Sequence, residues 1–418
     1  CNKKLQITEQ TGGGFPVQKL FLFLAFGLLI IGGIYLLKTK STKTTDIETG
    51  RFPGSDKFVS EGKLNRPLKV CFVPYGGITP GLLFNNGMKP NSASEFKKKF
   101  GLDVEFVIIE DLPSMVTALI KGGDNGGVDI IATTADMFAS QFSPHNDKKF
   151  RMLAFLQTDW SYGADGVVVN SNINTVADLK GKKVSCAELS PSHYYMLFLL
   201  SNADLKSKDI DWVFTQSSPD AGNIFKAGKS DAFVGWSPDI YTVLDNVKGA
   251  KHLSTTRDAS KLLAGLVATS EETLKKYPEA MKNFAHGWLL GADMLKKDKE
   301  KAIQLLATAF KPFGFDYNIA KDALESVNIC DYNDNADFFE TTGQENPTGF
   351  KAIFDFASGL WRSYGALSTI YSAADASEIT ILSSLYNNLW KSDKKNETTI
   401  IVKKSNEGDI LTKRVSIY

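Results

Sequence analysis

The sequence predicts an α/β protein of two lobes joined by two crossing segments. Short apolar runs alternate with helical segments twice along the chain, once before and once after residues 156–170. This stretch, LQTDWSYGADGVVVN, places polar and aromatic residues and Gly163 between two β-prone runs, which is typical of a first crossing. A later β-run at 262–269 is the natural return to the first lobe. We therefore expect the lobes to swing about residues 156–161 and 265–268.

The first lobe is predicted from three apolar runs, each followed by a helical segment. Such strand and helix alternation indicates mainly parallel sheets covered by helices. The predicted strands are 68–73, 104–109 and 128–132. One helix is predicted to begin near Thr79, a second to end at 96–100, a third to cover 113–120 and a fourth to begin at 133–136.

The second lobe repeats this alternation, and the chain then returns to helices rich in Lys, Leu and Ala. The whole unit spans residues 66–367, with its first lobe at about 66–157 and 265–367 and its second at about 158–264. After a capped helical turn at 175–181, the predicted strands are 183–187, 212–214 and 232–236, and the helices are 194–201, 220–226, 278–296, 299–310 and 350–364.

The N-terminal region is predicted to hold a transmembrane helix at residues 20–37. This stretch has no charged residue, and 18 residues at about 1.5 Å each extend over roughly 27 Å, enough to cross a hydrocarbon core. A secretory signal peptide is the alternative, but its apolar part is usually shorter and ends at a small-residue cleavage site. Residues 1–19 form a tail, and residues 38–65 have linker composition.

The C-terminal region is predicted to leave the two-lobed unit through a helical stretch at 368–390. Residues 368–398 form this connecting helix and a charged linker, and residues 399–403 and 410–418 alternate like two strands of a further module.

Composition and charge restrict the class of function. The 418 residues are 43% hydrophobic and 23% charged, as in globular proteins, and the formal net charge of +1 argues against a nucleic-acid partner. The four cysteines lie far apart, and Cys71 and Cys186 fall in apolar β-like runs, so we expect buried free thiols and no disulfide framework. The sequence has no HExxH, GxSxG or P-loop motif, and its four histidines lack ligand spacing. We therefore predict that the protein is not an enzyme and that it has no catalytic residue, metal site or cofactor.

Several motifs resemble the periplasmic solute-binding proteins of ABC importers, in the group for taurine, alkanesulfonates, nitrate and thiamine precursors. They are VPYGG, VDIIATTADM, DWSYGADGVVVN, INTVADLKGKKV, FKAGKSDAFVGWSPD and GLVATSEETLKKYPEAMKNFAHGW. The resemblance implies a two-lobed periplasmic-binding-protein fold of type II, with a small polar solute held between the lobes for ABC-type uptake or sensing. The partner would be an ABC permease or another inner-membrane complex.

Two departures from that group point to a membrane-anchored envelope protein. The predicted transmembrane helix is retained, which implies a single-pass protein of the bacterial inner membrane with its main domain in the periplasm. The segment GDILTKRVSIY resembles the opening strand of an OmpA-like domain, which would bind peptidoglycan. The alternative function is a ligand-free scaffold or signalling protein that links the inner membrane to peptidoglycan.

The candidate ligand-binding residues lie where predicted strands end and helices begin. In open α/β sheets, ligands bind beyond the carboxyl ends of the strands, near the N–H groups of helix N-termini. The aromatic members suit a cation or flat ligand but also suit packing, and the Ser and Thr members are ordinary helix caps. Asp159, Asp165, Glu188 and Asp239 give the expected cleft more acid than base, which disfavours a simple anion. The predicted site comprises Tyr75, Gly76, Gly77, Thr79, Thr133, Thr134, Asp159, Trp160, Tyr162, Glu188, Ser190, Ser192, His193, Trp236 and Asp239.

Overall fold

The structure is a computed structural model that describes residues 63–145, 150–340, 345–368, 372–378, 380–385, 399–403 and 410–414. The predicted transmembrane helix at 20–37 and the tail beside it lie outside the described residues. Within the described ranges, no helix has both the length and the apolar character needed to span a bilayer.

The strands form two sheets and a separate hairpin. Their bounds are close to the predicted ones wherever a strand was predicted, and β9 and β11 are additional. In chain order they are β1 Leu68–Phe72, β2 Val104–Ile108, β3 Ile130–Thr134, β4 Met152–Ser161, β5 Asp165–Val169, β6 Lys183–Ala187, β7 Asp211–Thr215, β8 Ala232–Trp236, β9 Lys251–Thr255, β10 Ala264–Ser270, β11 Val327–Ile329, β12 Thr399–Lys403 and β13 Ile410–Arg414.

Helices alternate with the strands along the chain, and several begin with side-chain caps. The short turn Val176–Leu179 has the predicted cap, in which Thr175 and Asp178 bond reciprocally to each other's backbone N–H. The α-helices are α1 Thr79–Asn85, α2 Glu95–Phe100, α3 Leu112–Lys121, α4 Ala135–His145, α5 Pro191–Asn202, α6 Ser218–Lys226, α7 Asp239–Asn246, α8 Glu271–Lys276, α9 Pro278–Lys297, α10 Lys299–Ala309, α11 Tyr317–Glu325, α12 Tyr332–Phe338, α13 Phe350–Tyr364 and α14 Thr380–Leu385.

Each lobe is built on one sheet. The larger sheet has the order β11-β4-β10-β3-β1-β2, and the smaller has the order β7-β6-β8-β5-β9. In the larger sheet β1 is parallel to β2 and β3, and in the smaller sheet β6 is parallel to β7 and β8. Helices connect β1 to β2, β2 to β3, β6 to β7 and β7 to β8, and such crossover connections produce parallel strands.

The prediction of mainly parallel sheets is wrong, because both sheets are mixed. Strand β10 is antiparallel to β3 and β4, β11 is antiparallel to β4, and β5 is antiparallel to β8 and β9. The cause is the passage between lobes: β4 carries the chain out of the first lobe and β10 brings it back, so the two run in opposite directions.

The expected pivots at residues 156–161 and 265–268 fall on paired strands. Both segments lie within the larger sheet, where Leu156 pairs with Val267 and Asp159 pairs with Gly265. The chain therefore crosses between the lobes after Ser161 and before Ala264. A cleft nevertheless separates the two sheets, as described below.

The crossing segments are fastened together by hydrogen bonds. The Ser161 amide donates to the Leu263 carbonyl at 2.9 Å, and the Gly163 amide donates to Thr256 Oγ1 at 2.8 Å. Thr256 Oγ1 also lies 2.7 Å from Ser161 Oγ. The outgoing and returning chains thus form one joint rather than two independent linkers.

The predicted buried thiols are confirmed for Cys71 and Cys186, which are free and fully covered in β1 and β6; Cys330 is also free and buried. Burial in apolar surroundings raises the pKa of the Cys71 thiol to about 12. These cysteines act as small apolar side chains.

The C-terminal stretch differs from the single helix predicted at 368–390. Its described part contains a 3-10 turn, Ala373–Asp375, and the short helix α14. Between them Ser377 forms a bridge with Ala154, so this segment lies along the edge of the larger sheet. Strands β12 and β13 pair antiparallel with each other.

Candidate ligand-binding cleft

A cavity of about 310 Å³ lies between the two sheets and is lined by both lobes. We call it the cleft. Its walls are mostly the ends of strands and the starts of the helices that follow, the position at which open α/β sheets bind ligands. The lining residues used below are Val73, Tyr75, Gly76, Glu110, Asp111, Met115, Thr133, Thr134, Met137, Asp159, Ser161, Asp165, Glu188, Ser190, Trp236, Ser237 and Leu263.

The first-lobe wall centres on Tyr75 and Asp159. The Tyr75 hydroxyl donates to Asp159 Oδ2 at 3.1 Å, and the Thr158 hydroxyl donates to the same oxygen at 2.7 Å. The residue after Tyr75 must be glycine, because a Cβ at Gly76 would collide with the Ala323 carbonyl oxygen. Close backbone packing by α11 therefore fixes the loop that follows β1.

The second-lobe wall centres on Asp165, the first residue of β5. Its two carboxylate oxygens accept hydrogen bonds from Ser161 Oγ at 2.8 Å and from Ser192 Oγ at 3.0 Å. The amide of Thr256 also donates to the Asp165 carbonyl at 2.9 Å. Asp165 is thus held at the crossing between the lobes by neutral donors only.

Burial shifts the ionisation of these groups. Removal from water raises the pKa of Asp159 and of Asp165 to about 6 in each case, although the neighbouring hydroxyls act in the opposite direction. Burial also raises the pKa of Tyr75 well above its ordinary value, and the charge of Asp159 adds to this effect. Tyr75 therefore remains a hydrogen-bond donor at neutral pH.

The end of β8 supplies Trp236 and Ser237. Trp236 is half-buried and pairs in register with Asp165. The Ser237 amide donates to the Ala164 carbonyl at 2.7 Å, while the buried Ser237 hydroxyl makes no hydrogen bond with any described residue. Ser190 also lines the cleft and caps α5, where its hydroxyl accepts from the His193 amide at 3.1 Å.

The structure brings about half of the predicted site together. Tyr75, Gly76, Thr133, Thr134, Asp159, Glu188, Ser190 and Trp236 line the cleft. It places Gly77, Thr79, Trp160, Tyr162, Ser192, His193 and Asp239 elsewhere. Thr79 is buried and donates to the Gly76 carbonyl, and Ser192 supports Asp165 from behind the wall.

Trp160 and Tyr162 do not join an aromatic box in the cleft. The Trp160 ring packs edge-on against Phe338, with centroids 5.6 Å apart, and Lys261 Nζ lies 4.7 Å from its centroid. The guanidinium of Arg257 lies 4.7 Å from the Tyr162 ring. Each ring therefore already contacts a cationic side chain, and neither lines the cleft.

His193 is a packing residue in this fold. It is fully buried among Trp212, Phe214, Trp361 and Tyr364, with centroid distances of 4.6–5.3 Å. Its Nδ1 accepts from the Leu189 amide at 3.1 Å, and burial lowers its pKa to about 3. A neutral imidazole fixed in this way does not reach the solute cavity.

Asp239 lies at a second, smaller cavity of about 220 Å³, which shares Val73, Glu110 and Trp236 with the cleft. Burial raises the pKa of Asp239 to about 6. Its place at the start of α7, beyond the turn at Pro238, moves it away from the end of β8.

Sequence reasoning missed several lining residues. Ser161 and Ser237 directly adjoin predicted site residues, and their position at strand ends was a usable signal. Glu110 and Asp111 directly follow β2 and Met115 lies in the first turn of α3, so the carboxyl end of β2 was a usable signal for them as well. Met137 lies in the first turn of α4. Among the described residues, no group of three or more His, Cys, Asp or Glu side chains is placed to hold a metal ion.

Comparison with protein families gives a match over residues 164–302 to the family described as NMT1/THI5 like. A protein of Escherichia coli (strain K12), named as an aliphatic sulfonates-binding protein, is 35% identical over 147 residues, which are 34% of this chain and 43% of that protein. A protein of Brucella abortus (strain 2308), named as a binding protein, is 24% identical over 35% of this chain and 47% of its own length. The chain thus spans less than half the length of these relatives.

Solved structures match a larger part of the chain. The alkanesulfonate-binding protein of Xanthomonas axonopodis pv. citri, bound to MOPS, has a TM-score of 0.56 at 18% identity and covers 75% of this chain and 99% of its own. The periplasmic nitrate-binding protein of Synechocystis PCC 6803 has a TM-score of 0.59 at 13% identity, with coverages of 77% and 89%. At these identities the likeness establishes the fold, a mixed α/β periplasmic-binding-protein fold with two sheets.

Proposed function

We propose that this chain is a solute-binding protein that captures a small polar solute between its lobes and delivers it to an ABC-type permease. The observation that carries the proposal is the cleft itself: one cavity, lined by strand ends of both lobes, beside a joint of two crossing segments. The resemblance to proteins whose names state binding of sulfonates or nitrate supports the same role.

The dimensions of the cleft favour a small solute. Its volume of about 310 Å³ is at the lower end of the range for ligand pockets, roughly 300–1,000 Å³. Apolar side chains such as Val73, Met115, Met137 and Leu263 line it together with polar groups, so a compact solute with one apolar portion fits best.

The proposed location is the periplasm, with residues 20–37 as a single membrane anchor. The support is the apolar composition of that stretch and the periplasmic origin stated for similar structures. Retention of the full chain in membranes after carbonate extraction is the expected result, and its release would contradict the anchor.

Residues 399–418 are proposed to begin an OmpA-like module that contacts peptidoglycan. The support is the sequence resemblance of that segment and the antiparallel pairing of β12 with β13. A chain extended through such a module is expected to co-sediment with isolated peptidoglycan; failure to do so would contradict this part of the proposal.

The function is tested by thermal shift of the full chain against amines, amino acids, sulfonates, nitrate and thiamine-like compounds. A solute that binds only the folded state raises Tm. At a concentration of 100 times its Kd it adds about 2.7 kcal/mol to the free energy of unfolding. At least one compound is expected to do so. If none stabilises the protein at millimolar concentration, the ligand-free scaffold is favoured instead.

Substitution Trp236→Ala separates the cleft from the rest of the fold. It is expected to remove the stabilisation by the solute while leaving the unliganded Tm within a few degrees, because Trp236 is only half-buried. The matched control is Tyr317→Ala, an exposed aromatic residue on α11 outside the cleft. Equal loss of solute stabilisation in both variants would contradict binding at the cleft.

A further inference from the structure

The cleft is strongly acidic. Five carboxylates line it: Glu110, Asp111, Asp159, Asp165 and Glu188. Its lining contains no Lys, Arg or His side chain among the described residues. Because like charges repel at short range, this wall is unfavourable for a sulfonate or a nitrate ion.

The two deepest carboxylates lack a cationic partner. Asp159 is 2% exposed and Asp165 is 6% exposed. Every side-chain donor to them is a neutral hydroxyl, from Tyr75 and Thr158 to Asp159 and from Ser161 and Ser192 to Asp165. Burying an ionised carboxylate is costly unless an opposite charge compensates, so these positions favour an incoming cation.

Hydrogen-bonding capacity in the cleft also remains unused. The Ser237 hydroxyl is buried at 3% exposure and has no partner among the described residues. Asp159 Oδ2, by contrast, already accepts two hydrogen bonds. Buried polar groups are normally paired, so a hydroxyl left over at a cavity wall indicates a polar ligand that pairs with it.

The remaining wall suits the body of such a ligand. Trp236 and Tyr75 are aromatic, and Val73, Met115, Met137 and Leu263 are apolar. An aromatic face attracts a cationic group placed over it. A small molecule with a cationic head and a short apolar portion therefore satisfies both kinds of lining.

We propose that the cleft binds a small solute that carries a protonated amine or quaternary ammonium group, held by the carboxylates of Asp159 and Asp165. The inference rests on the proposed solute-binding function and names the chemical class of its ligand. It assigns to this chain a ligand charge opposite to that of the sulfonate and nitrate named for the similar proteins.

The test compares matched probes of opposite charge by thermal shift and calorimetry on the full chain. The cations are 1,4-diaminobutane, n-butylamine and tetramethylammonium; the anions are butane-1-sulfonate and nitrate. Stabilisation by at least one cation and by neither anion is expected. Stabilisation by an anion with none by any cation would overturn the cation proposal and leave solute binding intact. Absence of an effect from these probes and from every compound of the wider screen would overturn both.

Substitution Asp159→Asn tests the proposed contact. It keeps the size of the side chain and removes its charge, so the affinity for the stabilising amine is expected to fall ten-fold or more. The control is Asp245→Asn on the exposed side of α7, with no expected change.

If Asp159→Asn fails to fold, Glu188→Gln at the exposed rim of the cleft provides a second measurement. It is expected to weaken amine binding about two- to five-fold, and less so at high salt, because exposed charges are screened. Unchanged amine affinity in both Asp159→Asn and Glu188→Gln would overturn the proposal.

Discussion

Asp136 is a fully buried carboxyl in the first turn of α4, directly behind the cleft. Its backbone carbonyl accepts from Trp361 Nε1 at 2.9 Å, but its carboxylate makes no well-formed hydrogen bond with the described residues. Burial is the main cause that raises the pKa of Asp136 to about 7, and the charge of Asp165 adds to it. The side chain is thus close to half ionised at neutral pH in the folded state.

This pKa shift predicts that Asp136→Asn raises the free energy of unfolding relative to wild type more at high pH than at low pH. In the unfolded chain Asp136 ionises near pH 4, whereas in the folded protein it ionises near pH 7. The protonated carboxyl therefore favours the folded state at low pH, and that contribution is lost as the pH rises through 7. Between pH 5 and pH 8 the wild type should lose on the order of 2 kcal/mol that the amide variant does not lose.

The measurement is the difference in unfolding free energy between Asp136→Asn and wild type, from urea titrations at both pH values. Only this difference isolates Asp136, because buried histidines such as His193 titrate in the opposite sense over part of the same range. Asp245→Asn, on an exposed position, should show the same difference from wild type at pH 5 and pH 8. A pH-independent difference for Asp136→Asn would contradict the assignment.

The sequence predicted some site residues and misplaced others, and the geometry of single strands and helices explains the difference. Asp159 and Trp160 were both predicted, yet neighbouring side chains of a strand point to opposite faces. Asp159 therefore lines the cleft, and Trp160 packs against Phe338. Likewise Ser190 caps α5 at the cleft, whereas the His193 side chain packs in an aromatic cluster. The residues of this cluster are distant in sequence, so no local pattern predicts it.

At the scale of elements, helices α1 and α9 pack closely against each other. Gly291 of α9 lies against the backbone of Pro80 at the start of α1, and a Cβ at Gly291 would collide with the Pro80 carbonyl oxygen. Gly287, one turn earlier, faces the rings of Phe84 and Phe96. The two glycines let the helices approach closely over the first-lobe core.

Substitution Gly291→Ala is therefore expected to destabilise the protein by about 1–3 kcal/mol, the range observed when extra atoms are forced into a packed core. The collision is with backbone, which cannot rotate away as a side chain could. The measurement is the urea midpoint at constant m-value.

Gly359 in the middle of α13 provides the matched control. A Cβ there has no atom within 4 Å, and its backbone is regular helix. Gly359→Ala should stabilise by about 0.5–1 kcal/mol, because alanine loses less backbone entropy than glycine in a helix. If both substitutions shift stability in the same direction, close backbone contact is not what Gly291 provides.

The elements themselves were largely predictable where they are apolar and regular. Strands β6 and β8 and helix α13 have the predicted bounds. Strands β9 and β11, with sequences KHLST and VNI, were missed because they are short and partly polar edge strands with little periodicity. The antiparallel direction of β10 is set by the return from the other lobe, which is not a local property.

At the scale of the whole molecule, α13 connects the two lobes independently of the crossing segments. It packs against α4 of the first lobe and α5 of the second. Trp361 is its central contact: its indole N–H donates to Asp136 in α4, and its ring lies 5.3 Å from His193 and 5.9 Å from Tyr194 in α5. The sequence predicted the helix but could not predict this packing, which joins residues more than 160 positions apart.

Substitution Trp361→Ala should uncouple the unfolding of the lobes. Trp361 is fully buried, and removing such a side chain costs about 3–5 kcal/mol. Because the lost contacts are those that join α4 to α5, calorimetry should change from one transition to two, as expected when a cooperative unit separates. Lys351→Ala, at an exposed position on the same helix, should retain a single transition. One lowered transition in Trp361→Ala would indicate that the crossing segments alone make the lobes cooperative.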